Sequence, residues 1–319
     1  MSATAPARVP RRPVHGVLLL DKPLALSAQA AVARVKALLG ADKAGHTGTL
    51  DPLASGLLPV CLGAATKFAQ AQLEADKAYE ATLRLGVRTS TGDAEGEVLA
   101  TAAVDAALLS PSHLEALAQR FTGTLEQLPP MYSALKKDGK PLYEYARAGV
   151  EVPRTPRRVT IHELRLQPVP GDPTALQLQV RCSKGTYVRT LAEDLGAALG
   201  CGAHLTALRR TASGPFELAQ AVTLSQLEQT DPAQRLRLLR PPEALLQGWP
   251  QVTLPPPQAA RFLTGLRRRG PWADAEAVAV FGSRPRALLG SARIVGGELI
   301  PVRLLSPAEI AQWLTQTST

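Results

Sequence analysis

A constrained loop around residue 51 offers the clearest catalytic group in the sequence. Residues 45–56 read GHTGTLDPLASG. The glycines permit positive φ angles or the close approach of another backbone, and Pro52 pushes Asp51 out of the α region into an extended conformation. A carboxylate held in this way can be aimed at a substrate. The alternative is an Asp-Pro turn in which Asp51 bonds its own backbone, and the residues alone leave both interpretations open.

The sequence lacks the residue spacings that are typical of a metal site or of a catalytic acid–base pair. The cysteines are odd in number and have no CxxC spacing, and the five histidines show no H-E-x-x-H pattern. We therefore expect no metal and no disulfide framework. A hydrolase with two positioned carboxylates is an alternative. The acids nearest to Asp51 resemble ordinary surface residues: Asp42, Glu74 and Asp76.

Strand and helix patterns surround this loop on both sides. Residues 16–20 have the composition of a buried strand, and Ser27 is a suitable cap for the helix that follows. Apolar and polar residues alternate over 79–85 and again over 176–182, which predicts two half-buried strands. The second of these strands runs directly into the segment 183–189, which reads SKGTYVR.

Composition places the chain among globular proteins. Of its 319 residues, 45% are hydrophobic and 20% charged, and its apolar runs are far shorter than the roughly 20 residues of a membrane span. The sequence predicts a flexible basic tail over residues 1–14, without the apolar segment of a signal peptide, so we expect a cytoplasmic protein. The net charge of +9 suits a polyanionic partner such as nucleic acid, and a solvated basic surface is the alternative.

A proline-rich stretch divides the chain near residue 245. Prolines cluster at positions 241–242 and 255–257, and we place the domain boundary between Arg240 and Val252. From Trp249 onward the chain carries eight Arg against four Asp or Glu, a net charge of +4. A short helical pattern followed by β-like runs predicts a small β-rich module there.

Motifs along most of the chain carry a family resemblance. Residues 16–23 read GVLLLDKP, residues 44–56 read AGHTGTLDPLASG, and residues 184–189 read KGTYVR. Together they closely resemble the bacterial tRNA pseudouridine-55 synthases, the TruB family of pseudouridine synthases. Further matching segments follow in the order of the family: TKF at 66–68, KAY at 77–79, LPPMYSALK at 128–136, GCGAHL at 200–205 and LRRT at 208–211. The likeness spans roughly residues 15–216, and the C-terminal segment matches loosely.

The resemblance implies that Asp51 is the catalytic aspartate. In the family this residue attacks the target uridine, so that the base detaches, rotates and rejoins the ribose through carbon. Whether the adduct is to sugar or base stays open. An ionised carboxylate in a dry pocket needs a fixed cation to offset its desolvation. The resemblance assigns that part to Arg189, which on spacing alone would be a surface arginine after a strand.

The resemblance also implies the positions of four further residues around the substrate. Tyr79 stacks on the flipped uracil, and Leu208 forms an apolar wall. Tyr187 is a pocket residue whose hydroxyl bonds near the site. His46 occupies the space left by the extruded nucleotide, as base flipping requires. Without the resemblance, Tyr79 and Leu208 would be interpreted as core residues and His46 as a loop histidine.

These observations and the resemblance together predict an α+β fold. We expect a catalytic domain over residues 15–245, built on a mixed, largely antiparallel sheet flanked by helices, and a small β-rich PUA-like RNA-binding domain over 250–319. The predicted reaction converts the uridine at position 55, in the TΨC loop of tRNA, to pseudouridine without cofactor or metal. The expected partner is the T arm of tRNA, with no membrane and no obligatory protein partner, so the chain would be a monomer. A tRNA-binding folding chaperone, in which catalysis is secondary, is the alternative function.

Overall fold

The structure is a computed structural model that describes residues 11–317. Most of the predicted basic tail, residues 1–10, lies outside the described residues. Between residues 11 and 317, none of the helices has both the length and the apolar character that a membrane crossing requires.

The helices and strands up to residue 73 flank the loop of Asp51 in the sequence. They are β1 (Gly16–Lys22), α1 (Ala28–Leu38), β2 (Ala44–His46), β3 (Ala54–Leu62) and α2 (Ala69–Leu73). The predicted strand over 16–20 is confirmed as part of β1. Ser27 caps α1 as predicted, because its side chain accepts a hydrogen bond from the N–H of Ala30.

The central part of the chain contains the longest strands. Its elements are β4 (Lys77–Leu85), β5 (Val87–Thr89), β6 (Val98–Thr101), α3 (Pro111–Arg120), β7 (Gly123–Gln127), β8 (Lys136–Lys137), β9 (Lys140–Pro141), α4 (Leu142–Arg147), β10 (Arg157–Val169), β11 (Asp172–Cys182), α5 (Val188–Ala198) and β12 (Ala203–Ser213). The alternating patterns over 79–85 and 176–182 are confirmed as β4 and β11.

The last part of the chain is mainly β-structure after residue 250. Its elements are β13 (Phe216–Glu217), β14 (Val222–Thr223), α6 (Leu224–Gln229), β15 (Gln251–Leu254), α7 (Pro256–Leu263), β16 (Arg268–Arg269), β17 (Ala275–Ser283), β18 (Arg286–Val295), β19 (Glu298–Leu304) and α8 (Pro307–Thr317). Short 3₁₀ turns cover Gly63–Phe68, Ala106–Leu109, Leu218–Gln220, Arg235–Leu238 and Pro242–Leu246.

The chain forms two compact units. Of the described residues, the first unit contains 11–52, 57–73 and 215–317, and the second contains 53–56 and 74–214. Strand β3 therefore contributes its first residues to the second unit and its remainder to the first. The predicted boundary near residue 245 stays a prediction.

The second unit is built on a mixed sheet whose strand order is β3-β12-β4-β11-β10-β7. The β3–β12 pair is parallel, and the other neighbouring pairs are antiparallel. Its core joins α3 and α5 to this sheet through buried apolar side chains, among them Leu114, Leu178 and Leu195. The predicted mixed, largely antiparallel sheet flanked by helices is thus confirmed.

The first unit contains the strand order β14-β1-β3, with β2 paired to β3, and a second sheet of order β15-β17-β18-β19-β16. The β-rich prediction for the C-terminal part is confirmed in this second sheet, to which the structure adds α8. One apolar cluster joins Phe281 and Leu305 of this region to Val17 and Leu57. The C-terminal sheet therefore shares a core with the first strands of the chain.

Candidate active site

The loop of Asp51 joins β2 to β3 and is fixed at both ends. At its start, the N–H of Thr47 donates to the C=O of Pro59 at 3.2 Å, and at its end the C=O of Pro52 accepts the N–H of Ala25 at 2.9 Å. Asp51 itself is half-buried. Its backbone is thus held between two fixed neighbours, which restricts where the carboxylate can point.

The turn after Lys22 supplies one of these anchors. Lys22 is fully buried, and its Nζ donates to the C=O of Pro23 at 2.9 Å and to that of Leu26 at 2.6 Å. Ala25 has a φ of +60°, a left-handed conformation that costs about 1–2 kcal/mol for a residue with a Cβ. The buried ammonium of Lys22 stabilises the turn by donating to its two carbonyls. These bonds offset the strain at Ala25, a position where glycine would adopt the same φ without strain.

Gly56 shows why the loop segment needs glycine. It has a φ of +100°, and a Cβ added there would lie 2.3 Å from the backbone oxygen of Arg210. The cause is the parallel pairing of β3 with β12, in which Gly56 is the register partner of Arg210. The close backbone approach predicted for these glycines is confirmed at Gly56.

His46 lies half-buried at the end of β2, opposite Val60 of β3. Its Nδ1 accepts a hydrogen bond from the N–H of Gly48 at 3.2 Å. The imidazole is therefore oriented by the same loop that carries Asp51, with Nδ1 as the acceptor nitrogen.

Tyr79 and Leu208 lie on one face of the second unit's sheet. Tyr79 on β4 is opposite Arg210 on β12, and Leu208 is opposite Ala81, so Tyr79 and Leu208 are diagonal neighbours. Both are half-buried and pack against the core cluster that includes Val188 of α5. A half-buried ring beside an apolar side chain provides a surface on which a planar base could stack.

Lys77 precedes this ring by two residues on the same strand and is 7% exposed. Burial, and then the positive charge of Arg210, lower the pKa of Lys77 to about 8. Its Nζ donates to the C=O of Ala75 at 2.5 Å. Lys77, the first residue of β4, and Arg210 are thus buried rather than solvated.

Tyr187 and Arg189 mark the start of α5. Tyr187 is the N-cap residue, and Arg189 lies in the first turn with 7% of its surface exposed. The guanidinium donates to the C=O of Thr91 at 3.1 Å and to the C=O of Tyr132 at 2.7 Å. Arg189 is therefore a buried, fixed cation and not a surface arginine.

Asp93 is a charged partner of Arg189 that the sequence did not point to. Its Oδ2 lies 3.5 Å from Nη1 of Arg189, and both side chains are less than a tenth exposed. Asp93 also accepts from the N–H of Glu95 at 3.1 Å and from the hydroxyl of Thr91. The one available signal was an acid between glycines, in the segment TGDAEG at 91–96.

Glu193 extends this charged group by one turn of α5. A Cβ on Gly92 would lie 3.2 Å from a carboxylate oxygen of Glu193, so only glycine fits there without displacing it. Burial, and then the charge of Asp194, raise the pKa of Glu193, while Arg88 and Arg189 act in the opposite direction. Asp93 and Arg189 are the buried members of this charged group, while Glu193 is half-buried and Arg88 and Asp194 are exposed.

The predicted site residues fall into two groups. His46 at the end of β2 and Asp51 in the loop that follows belong to the first unit. The other four lie on β4, on β12 and at the start of α5 in the second unit: Tyr79, Leu208, Tyr187 and Arg189. The roles that we assign to these residues stay predictions.

Sequence models of known families match two consecutive parts of the chain. The TruB family pseudouridylate synthase N-terminal domain matches residues 36–188, and the tRNA pseudouridylate synthase B C-terminal domain matches residues 189–247. The chain thus belongs to the TruB family of pseudouridylate synthases, as the motifs predicted.

Individual relatives resemble the chain over nearly its whole length. A tRNA pseudouridine synthase B of Verminephrobacter eiseniae (strain EF01-2) is 60% identical over 316 residues, covering 98% of this chain and 96% of its own. One of Cupriavidus metallidurans (strain ATCC 43123 / DSM 2839 / NBRC 102507 / CH34) is 55% identical over 314 residues, covering 95% and 98%.

Two solved structures share the fold of the chain. The archaeal box H/ACA sRNP Nop10-Cbf5 complex matches with a TM-score of 0.69 at 23% identity, covering 93% of this chain and 88% of the other. A Cbf5-Nop10-Gar1 complex matches with a TM-score of 0.70 at 25% identity, covering 97% and 92%. These similarities bear out the α+β fold.

Proposed function

We propose that the protein is a tRNA pseudouridine synthase that isomerises the uridine at position 55 in the TΨC loop. One observation carries the proposal: Asp51 lies in a loop anchored on both sides, in a chain that belongs to the TruB family. The relatives named tRNA pseudouridine synthase B support tRNA as the substrate.

Asp51 is the proposed nucleophile. Its attack allows the glycosidic bond between the ribose and a ring nitrogen to break, the base to rotate, and a carbon of the base to bond to the ribose. The bond to Asp51 then breaks and regenerates the carboxylate, while the carbon loses its proton and the freed ring nitrogen gains one. The reaction is an isomerisation with no net redox change, so the proposal includes no cofactor. Arg189 is the proposed cation that favours the ionised form of Asp51, in keeping with its fixed and buried guanidinium.

The remaining site residues have proposed roles in holding the flipped nucleotide. Tyr79 stacks on the uracil and Leu208 packs beside it, which their diagonal placement on one sheet face supports. The hydroxyl of Tyr187 bonds near the base, and His46 fills the space that the nucleotide leaves.

The C-terminal β-rich region is proposed to bind RNA as a PUA-like domain over residues 250–319. Its net charge of +4 supports contacts to phosphates, which position RNA without reading its sequence. We further propose that the T arm is the part of tRNA that is bound, and that the chain acts as a cytoplasmic monomer.

The decisive experiment is incubation of the purified chain with an unmodified tRNA transcript, followed by mapping of modified nucleosides. Pseudouridine at position 55 is the expected product. A product at another uridine would contradict the proposed position, and tRNA binding or refolding without any pseudouridine would favour the chaperone alternative.

A further inference from the structure

The side chain of Gln127, at the end of β7, bonds to both backbone groups of Tyr187. Its Oε1 accepts the N–H of Tyr187 at 2.7 Å, and its Nε2 donates to the C=O of Tyr187 at 3.1 Å. Gln127 is 3% exposed. One amide thus satisfies a backbone donor and a backbone acceptor of the same residue, as a neighbouring strand would.

Tyr187 is the residue at which α5 begins, so the bonds from Gln127 fix the position from which the helix starts. A tyrosine lacks the short side-chain acceptor with which Ser, Thr, Asp or Asn caps the first N–H groups of a helix. The C=O of Tyr187 already accepts the first helical bond from the N–H of Leu191 at 3.1 Å. Gln127 uses the second lone pair of that oxygen, so both bonds coexist and together fix where the helix starts.

The chain that follows Gln127 holds the same helical turn at a second point. Five residues later, the C=O of Tyr132 accepts the bond from Nη2 of Arg189 at 2.7 Å. Residues 127–132 therefore fix the backbone of Tyr187 and the guanidinium of Arg189 together. Loss of the two Gln127 bonds would free the backbone of Tyr187 from β7, two residues before Arg189 on the same helix.

We propose that Gln127 is a positioning residue for the isomerisation: by fixing the start of α5, it holds Tyr187 and Arg189 in the reactive geometry. The inference rests on the function proposed above. Gln127 transfers no proton and forms no covalent bond. Because small misplacements of reacting groups are costly, its loss should lower kcat by on the order of 10- to 100-fold, with little change in KM for tRNA.

Two substitutions test this role. Gln127→Met keeps the approximate volume and removes both bonds. Gln127→Glu keeps the shape, but an ionised carboxylate has no proton to donate to the C=O of Tyr187. The matched control is Gln72, a buried glutamine whose Nε2 donates to the C=O of Leu245 at 2.7 Å, changed to Met and to Glu.

A pH series separates positioning from general stability. When the carboxyl of Gln127→Glu is protonated it regains a donor and an acceptor, and burial raises its pKa above the usual value of about 4.3. The ratio of kcat for Gln127→Glu to kcat for the parent should therefore rise as the pH falls from about 8 to about 5.5. The ratio for Gln127→Met, and the ratios for both Gln72 variants, should stay flat.

The possible results are distinguishable. A kcat loss confined to the Gln127 variants, with recovery of Gln127→Glu at low pH and native circular dichroism, supports the inference. An unchanged kcat in both Gln127 variants, a flat ratio for Gln127→Glu, or unfolding of both variants would overturn it while leaving the proposed function in place. A parent protein that forms no pseudouridine would overturn the proposed function and this inference together.

Discussion

Arginines occupy two contrasting settings in this protein. Arg189, at the start of α5 in the second unit, is 7% exposed and bonds to two backbone carbonyls. In the C-terminal sheet of the first unit, Arg269, Arg293 and Arg303 are exposed. The first arginine is held in one position before RNA arrives, whereas the exposed ones can adapt to a flexible phosphate backbone.

The contrast shows that the net charge by itself does not distinguish these two kinds of arginine. The charge of +9 indicates a polyanionic partner, but it includes both kinds of arginine. Burial separates them: a buried cation is suited to act on a reacting group, while exposed cations contribute affinity that salt weakens. Substitutions in the two regions should therefore change different kinetic quantities.

The largest effect is expected at Asp51, the group whose ionised form Arg189 is proposed to favour. Asp51→Asn should abolish isomerisation, lowering kcat by roughly 10⁴-fold or more, because a neutral amide cannot supply the nucleophile. Binding of tRNA should stay within a few-fold of the parent, since the amide keeps the shape of the side chain. Pseudouridine mapping and a filter-binding titration measure the two quantities.

Asp42→Asn is the matched control for this substitution, since Asp42 is an exposed acid that lies nearby in the sequence. It should leave kcat unchanged. If Asp51→Asn still formed pseudouridine near the parent rate, the assignment of the nucleophile would be wrong, and the role of Arg189 would lose its basis.

The second effect concerns Arg189 itself. Arg189→Met should lower kcat by about 100-fold or more, because a preorganised cation is removed from the site. Arg189→Lys should recover only part of the activity, since an ammonium cannot reproduce the planar fork that bonds Thr91 and Tyr132. Arg293→Met removes an exposed arginine and should leave kcat as it is. Equal kcat values for the Arg189→Met and Arg293→Met variants would show that the buried arginine and the exposed arginine do not differ in their effect on the reaction.

The pairing of Arg189 with Asp93 predicts a separate loss of stability. Removing the guanidinium leaves the buried carboxylate of Asp93 without its cation. Arg189→Met should therefore lower the free energy of unfolding by about 3–5 kcal/mol. The double variant Arg189→Met/Asp93→Asn should regain the part of that stability that the uncompensated carboxylate cost, and none of the activity, since the bonds to Thr91 and Tyr132 stay lost. Urea unfolding measures the first quantity. Additive losses in the double variant would show that the 3.5 Å pair contributes no coupling.

The sequence was most informative where side-chain periodicity or glycine geometry restricts the backbone. Alternation predicted β4 and β11, and the glycine pattern predicted the close backbone approach that the structure shows at Gly56. Asp93 and Gln127 were missed because each acts through a partner distant in the sequence. A buried acid and a buried amide look like surface residues until the fold shows what they contact.

The buried apolar cluster also changes how the C-terminal region should be tested. Phe281, Leu288 and Leu305 pack in one core with Val17 and Leu57, so deletion of the region would expose that core. Weaker RNA binding after truncation would then have two causes. Substitution of exposed arginines tests the charge without removing apolar side chains.

The smallest effect is expected from replacing Arg269, Arg293 and Arg303, the exposed arginines of the C-terminal sheet, together by Gln. Exposed cations contribute affinity through counterion release, so tRNA binding should weaken and the log–log salt slope should flatten by roughly 0.7–0.9 for each phosphate that is no longer neutralised. At saturating tRNA, kcat should equal that of the parent. An isolated T-arm stem-loop should be affected less than whole tRNA, because the region is proposed to bind RNA beyond the loop that is modified.

Arg34→Gln is the control for this triple variant, because Arg34 on α1 is also exposed and pairs with Glu228 at 2.6 Å. Its effect on the salt slope should be smaller, since a cation already paired with a carboxylate releases fewer counterions from RNA. A triple variant with unchanged affinity and salt slope would mean that these arginines form a solvated face. A lowered kcat at saturating tRNA would instead show that exposed arginines also position the reacting groups, and burial would no longer separate the two kinds of arginine.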